Sequence, residues 1–192
     1  MSEGLNERSS YEGLLEHNLQ HLGKFRYAEP ADNGVRNRGY DLVFYDLDEH
    51  GVTSVTTNGL RFQAIDALLP EELICTLSIG EEGFAHHLVG LVASRIIQRR
   101  KGLEFGEILV TETPLIDDTQ ISGVLAATSP FFGTDFDFFC GSGEHPVLQT
   151  ITLLPITSRE AKFVVENSPD ELWDAWKASA ANILTINRPS TI

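Results

Sequence analysis

Two hydrophobic periods divide the chain. Tyr40, Leu42, Phe44 and Asp46 stand against Asp41, Val43, Tyr45 and Leu47, the two-residue alternation of a strand. Asp48-Glu49-His50-Gly51 is a hairpin turn, and the β-branched run Val52 to Thr57 is its return strand. Asn58-Gly59 marks another turn, Leu60 to Pro70 is irregular or a short helix, and Glu72 to Ser78 reads as an interior strand. Gly106 to Val110 and Gly123 to Thr128 are short strands parted by turns at Pro114 and Asp117-Asp118. Val147 to Leu154 alternates again. Pro155, with no N–H to donate, is expected to end that ladder.

The helical period appears three times. Leu14, Leu15, Leu19 and Leu22 form a stripe between a Ser9/Glu12 capping box and Gly23. Phe84, Leu88, Leu91, Val92 and Ile96 form a second, with Arg95, Arg99, Arg100 and Lys101 at its C-terminal end and Gly102 after it. Ser168-Pro169, with Glu171, opens a third, whose stripe is Leu172, Trp176, Ala180 and Ile183. A further capping box, Thr157 with Glu160, turns the strand before it into a helix. Ala28 to Gly39 is expected to be a loop, and Asn187-Arg188-Pro189-Ser190 a short tail. In Phe131 to Phe139, Phe136 and Phe138 are expected on one strand face, with Asp135 and Asp137 on the other.

Strands in runs, with helices at the start, middle and end, predict an α+β fold: a mixed, mainly antiparallel sheet with helices packed on it. Residues 1–56 hold the first helix and hairpin. They are expected to belong to the same domain as residues 57–190, because no long linker intervenes.

Composition sharpens this only in its charge. The net charge of −14 argues against a phosphate-backbone binder and favours a basic partner. From Gly102 to Ser158 there is no Lys or Arg, and eight acids fall in that stretch. Its residues Asp117, Asp118, Asp135, Asp137 and Glu144 are the candidate partner-binding positions. Cys75 and Cys140 lie in apolar runs and read as buried free thiols of a reducing compartment. Without a signal-like N-terminus or a membrane-length apolar run, a cytoplasmic location is expected.

Candidate chemistry is sparse. His17 and His21 have metal-like i, i+4 spacing but no evident third ligand, and are expected to face solvent. Ser142 in Gly-Ser-Gly-Glu lacks the spacing of a nucleophile elbow or a phosphate loop and reads as a hairpin turn. Catalytic residues, metal ligands and cofactors are not expected. The alternative reading is a hydrolase using His86 or His87 with the Asp135/Asp137 pair.

Four short motifs resemble the suppressor of fused family: Thr57-Asn58-Gly59-Leu60, Glu72-Leu73-Ile74-Cys75-Thr76-Leu77, Leu154-Pro155-Ile156-Thr157-Ser158-Arg159-Glu160 and Arg188-Pro189-Ser190. The last departs from the family pattern, since Ile186-Asn187 stands where an acidic residue is expected. The resemblance implies a mixed-sheet α+β domain with a non-enzymatic protein-binding role. In animals the family restrains a transcription factor, partly by pairing with a peptide strand. The chain's size looks like the bacterial single-domain type, which implies an immunity-type inhibitor of a toxin or other basic partner.

Overall fold

The computed structural model describes residues 11–32 and 37–192. Helix α1 (Leu14–Leu22) precedes a four-strand antiparallel meander: β1 (Lys24–Asp32), β2 (Asn37–Leu47), β3 (Val52–Asn58) and β4 (Glu71–Ser78). Helix α2 (Glu82–Arg99) then crosses to β5 (Ile108–Val110) and β6 (Ile121–Ala127). A single helical turn, α3 (Thr134–Asp137), leads to β7 (Phe138–Phe139) and β8 (Leu148–Thr157). Helices α4 (Ser158–Glu166) and α5 (Pro169–Ala178) follow.

The strands form one eight-stranded sheet in the order β1-β2-β3-β4-β8-β6-β5, with β7 beside β8. Of these strands, among the described residues, only β4 and β8 are parallel neighbours; they pair from Glu71↔Gln149 to Ile74↔Thr152. The mixed, mainly antiparallel sheet expected from the sequence is therefore the observed one.

Both faces of the sheet are covered. On one, α2 buries Phe84, Leu88, Val92 and Ile96 against Leu42, Phe44, Leu73, Cys75, Ile151 and Leu153. On the other, α4 and α5 cover Leu125, Leu154 and Ile156, while α1 and α3 cover Val43, Tyr45 and Ile74. Strands buried on both sides read as apolar runs rather than clean alternations.

Several local expectations give way to tertiary contacts. Ala28 to Gly39 is not all loop, because Lys24–Asp32 is an edge strand. Pro30 is tolerated there since an edge strand leaves one side of its ladder unpaired. Pro155 does not end β8; it sits in register with Val124. Its carbonyl accepts Arg188 Nη2 at 2.9 Å, and a strand residue's N and O share a side. The missing N–H therefore faces away from β6, past the point where β4 has stopped pairing. Phe136 and Asp137 are helical, not a strand, and both are buried. On α1 the exposed leucines are Leu15 and Leu19; Leu14 and Leu22 are buried, and His17 and His21 turn inward with them. Gly13 is its N-cap, and Ser9 lies outside the described residues. Arg100, with φ 52°, closes α2 in place of Gly102. α5 ends at Ala178, so Ala180, with φ 50°, and Ile183 lie beyond it. The 142-centred loop joins β7 to its antiparallel partner β8, as a hairpin turn should. Both cysteines are free thiols; Cys75 is buried and Cys140 half-buried.

Gly23 makes the turn from α1 into β1 at φ 83°, and an added Cβ would stand 2.5 Å from the Asp46 carbonyl oxygen. Gly23→Ala is therefore expected to lose about 2 kcal/mol in denaturant unfolding. A loss under about 0.5 kcal/mol would mean that the turn relaxes freely.

Candidate functional site

The most specific side-chain arrangements are two buried carboxylate clusters. Glu72, the second residue of β4, clamps the turn after β3. Its oxygens accept the Thr57 hydroxyl, the Gly59 and Leu60 N–H groups at 2.8 and 3.1 Å, and the Arg61 guanidinium. Glu160 does the same at the corner after β8. It accepts Thr157 N–H at 2.8 Å, Trp176 Nε1–H at 2.9 Å and two nitrogens of Arg188. Thr157 in turn accepts Glu160 N–H at 3.2 Å, completing the capping box. Burial alone would raise the Glu160 carboxyl, but Arg188, the Thr157 N–H and Trp176 outweigh it and hold it below its ordinary value. The segment expected to be a tail is thus a structural staple, with Arg188 buried. Thr57, Gly59, Leu60, Glu72, Thr157, Glu160 and Arg188 are motif residues, and their work is to fix the frame.

Neighbouring Glu71 points the other way. Its Oε2 accepts Leu103 N–H at 3.3 Å and Gln149 Nε2–H at 3.4 Å, and its Oε1 is buried without a hydrogen-bond partner among the described residues. Burial pushes this carboxyl up to about 7, helped by the charges of Glu72 and Glu107.

The candidate partner-binding acids occupy three separate connections. Asp117 and Asp118 are exposed between β5 and β6, Glu144 is exposed between β7 and β8, and Asp135 is exposed on α3. Asp135 Oδ2 lies 3.8 Å from His21 Nε2. Asp137 is 0% exposed. Its Oδ1 accepts Ser129 N–H at 2.7 Å, and burial pushes it up to about 6. It is internal and offers no surface to a partner.

The histidines divide between the two faces of the sheet. His17 Nε2 donates to the Phe136 carbonyl at 3.2 Å, and burial lowers its pKa. His86 stacks on Phe44 on the α2 face, with Nε2 2.8 Å from Glu29 Oε1; His87 is exposed. The pair His86/His87 and the pair Asp135/Asp137 therefore lie on opposite faces, and the hydrolase arrangement is not assembled. The carboxylate beside His86 is Glu29, 57 residues away in the chain, and not Asp135 or Asp137.

One edge of the sheet is open beside an apolar cleft. Among the described residues no strand pairs with the outer side of β5. Val110 there is 47% exposed. A cleft of about 220 Å³, walled by Leu88, Leu91, Arg95, Leu109 and Leu115, runs between β5 and α2. The opposite edge, β1, carries Pro30 and two breaks in register, features that discourage strand pairing. No helix among the described residues is long and apolar enough to cross a membrane.

The family model described as suppressor of fused protein (SUFU) matches residues 36–189. No curated protein matches the chain. Among solved structures, the chain is similar to a SUFU homologue from Neisseria gonorrhoeae at 15% identity, with a TM-score of 0.72 over 96% of this chain and 98% of that one. It is similar to a chain of the Sufu–Fu complex at 12% identity, with a TM-score of 0.67 over 95% and 92%. It spans 42% of Drosophila Suppressor of Fused, with 79% of this chain covered, at 13% identity and a TM-score of 0.58. These identities speak to the fold, and the family match covers the motifs whose geometry is given above. The chain belongs to the suppressor of fused family.

Proposed function

We propose that this chain is a non-catalytic protein-binding module, an immunity-type inhibitor that occupies a basic partner such as a toxin in the cytoplasm. The observation that carries the reading is the similarity along nearly its whole length to a chain of a protein–protein complex, that of Sufu with Fu. The net charge of −14 adds the preference for a basic partner. The open β5 edge supplies a place where main-chain groups and an apolar cleft lie together. Asp117 and Asp118 sit in the connection that follows β5, so an approaching basic surface meets them beside that edge. Asp135 and Glu144 contribute to the long-range field, and Asp137 contributes nothing at the contact.

The test is a pull-down with the full chain, followed by titration against the basic protein it recovers. Association is expected to slow about tenfold between low and physiological salt. Changing Asp117, Asp118, Asp135 and Glu144 together to their amides should slow it similarly at low salt, with dissociation little changed. An association rate indifferent to both salt and the four changes would remove the acidic surface from the account.

A further inference from the structure

We propose that Glu71 works a proton-operated catch: its protonated carboxyl holds the connection between α2 and β5 shut against the sheet, and loss of the proton lets residues 100–107 move out and loosen the β5 edge. The catch does not rest on the acidic-surface reading.

It is built where loop 63–70, the end of α2, β4 and β8 meet. The loop and the end of α2 join through a parallel bridge, Asp66 with Lys101. Asp66 N–H donates to the Arg100 carbonyl at 3.0 Å, and Gly102 N–H donates to the Asp66 carbonyl at 2.9 Å. Against this bridge lies Glu71, 1% exposed. Its Oε2 accepts Leu103 N–H from the connection and Gln149 Nε2–H from β8. Gly102 passes so close that an added Cβ would stand 2.6 Å from Oε2 and 2.7 Å from Ala67 Cβ.

That setting does not suit a negative charge. Both hydrogen bonds on Oε2 are long, and Oε1 is buried with no partner among the described residues. The cations nearby are committed elsewhere: Arg61 to Glu72, Arg99 to Glu107 and Lys101 to Glu104. The acids Glu72 and Glu107 add repulsion to the effect of burial, and Asp66 on the bridge is another acid. Glu72 lies at similar depth, yet it has a guanidinium and two backbone N–H groups on it, which makes it a fixed clamp. Glu71 has no such compensation, so once ionised it gains by reaching water.

The connection is the wall that can yield. β4 and β8 are central strands of the sheet, whereas Glu104 and Phe105 are already exposed. Release at Leu103 bears on β5 directly. Gly106 N–H bonds the Ala126 carbonyl at 2.7 Å and Ala126 N–H bonds the Glu107 carbonyl at 2.8 Å, the rungs just before the β5–β6 ladder.

The sign follows from linkage. With the catch closed the carboxyl titrates at about 7, and once hydrated it returns to 4.5, so opening releases a proton between those values. The opening constant should rise about tenfold per pH unit across that window, about 300-fold in all, and level off above it.

Native-state hydrogen exchange from pH 4.5 to 8, each amide rate divided by its intrinsic rate at that pH, reads the opening constant. The Leu103 and Gly106 amides should follow this profile. Their exchange should be nearly indifferent to urea below the unfolding transition, because a local opening exposes little surface. Buried amides of α2 should instead exchange faster as urea rises. Glu71→Gln should flatten the Leu103 and Gly106 profiles; if it does not fold, the parent's pH profile and urea response decide alone. An opening constant that does not change with pH overturns the proposal. So does an unchanged slope in Glu71→Gln, a urea dependence equal to that of the α2 amides, or an opening at Leu103 that leaves Gly106 protected.

Discussion

Arg188→Ala is expected to destabilise the protein by about 3–5 kcal/mol, the cost of stranding a buried charge. Glu160 is 0% exposed and Arg188 4%, so neither can turn to water when its partner goes. Arg188 also holds the Pro155 carbonyl and lies over the Trp176 ring, 5.3 Å from its centroid. The substitution therefore loosens β8, the α4 corner and α5 together. Most domains have only about 5–15 kcal/mol in hand, so a large part of the stability is at stake. Denaturant unfolding of the two proteins reads the difference directly. Pairing Arg188→Met with Glu160→Gln should recover much of the loss, because no charge is then left buried alone. A single-variant loss below about 1 kcal/mol would show that water reaches Glu160 and that the cluster is not a staple.

The second large effect is a dependence on pH. Glu71 has its carboxyl pushed from an ordinary 4.5 up to about 7 by burial. The folded chain thus holds a proton that the unfolded chain has already released between about pH 4.5 and 7. Stability from this group is fully present below that window and is lost as pH rises through it, by about 3 kcal/mol in all. Asp137, raised to about 6, acts in the same direction. Glu71→Gln isolates the first group. It should match the parent near pH 4.5 and exceed it by about 3 kcal/mol at pH 8, read from unfolding midpoints across pH. Parallel profiles for the two proteins would mean that Glu71 is ionised in the fold throughout.

Local signals carried the reading of the fold where the physics is local. The Thr157/Glu160 capping box spans three residues and forms as its spacing says. The β2–β3 hairpin, closed by Asp48 to Gly51, needs only the turn and two alternating runs. Pro30 and the weak strand formers around it hid β1, because an edge position excuses what a central strand would not. Asp-Phe-Asp-Phe alternates like a strand, yet Asp137 reaches the Ser129 N–H and Phe136 packs on Val43 and Ile74, and these contacts overrule the pattern. Leu15 and Leu19 fit a helical stripe as well as Leu14 and Leu22 do; the sheet above them made the choice.

The candidate site was less legible for the same reason. The Glu29–His86 tie joins residues far apart in the chain, and so does the Glu160–Arg188 pair. Charge could be counted along the sequence, but the exposure of Asp135 and the burial of Asp137, two residues on, could not. Gly90 is visible in the sequence as a helix-interior glycine; that an added Cβ there would meet nothing nearer than Leu42 Cδ1 at 3.8 Å is a fact of packing alone.

The parallel pairing of strands β4 and β8 bears on how the chain reaches its native state. Every other strand joins a neighbour near it in sequence or within its own half, whereas Glu71 and Gln149 meet across 78 intervening steps of chain. Closing so long a loop costs entropy before any contact offsets it, so this seam should form late and slowly. The β1–β4 meander can zip from its turns beforehand. Until the seam closes, the β4 edge stands bare, and that interval is when the chain is most open to pairing with the wrong strand.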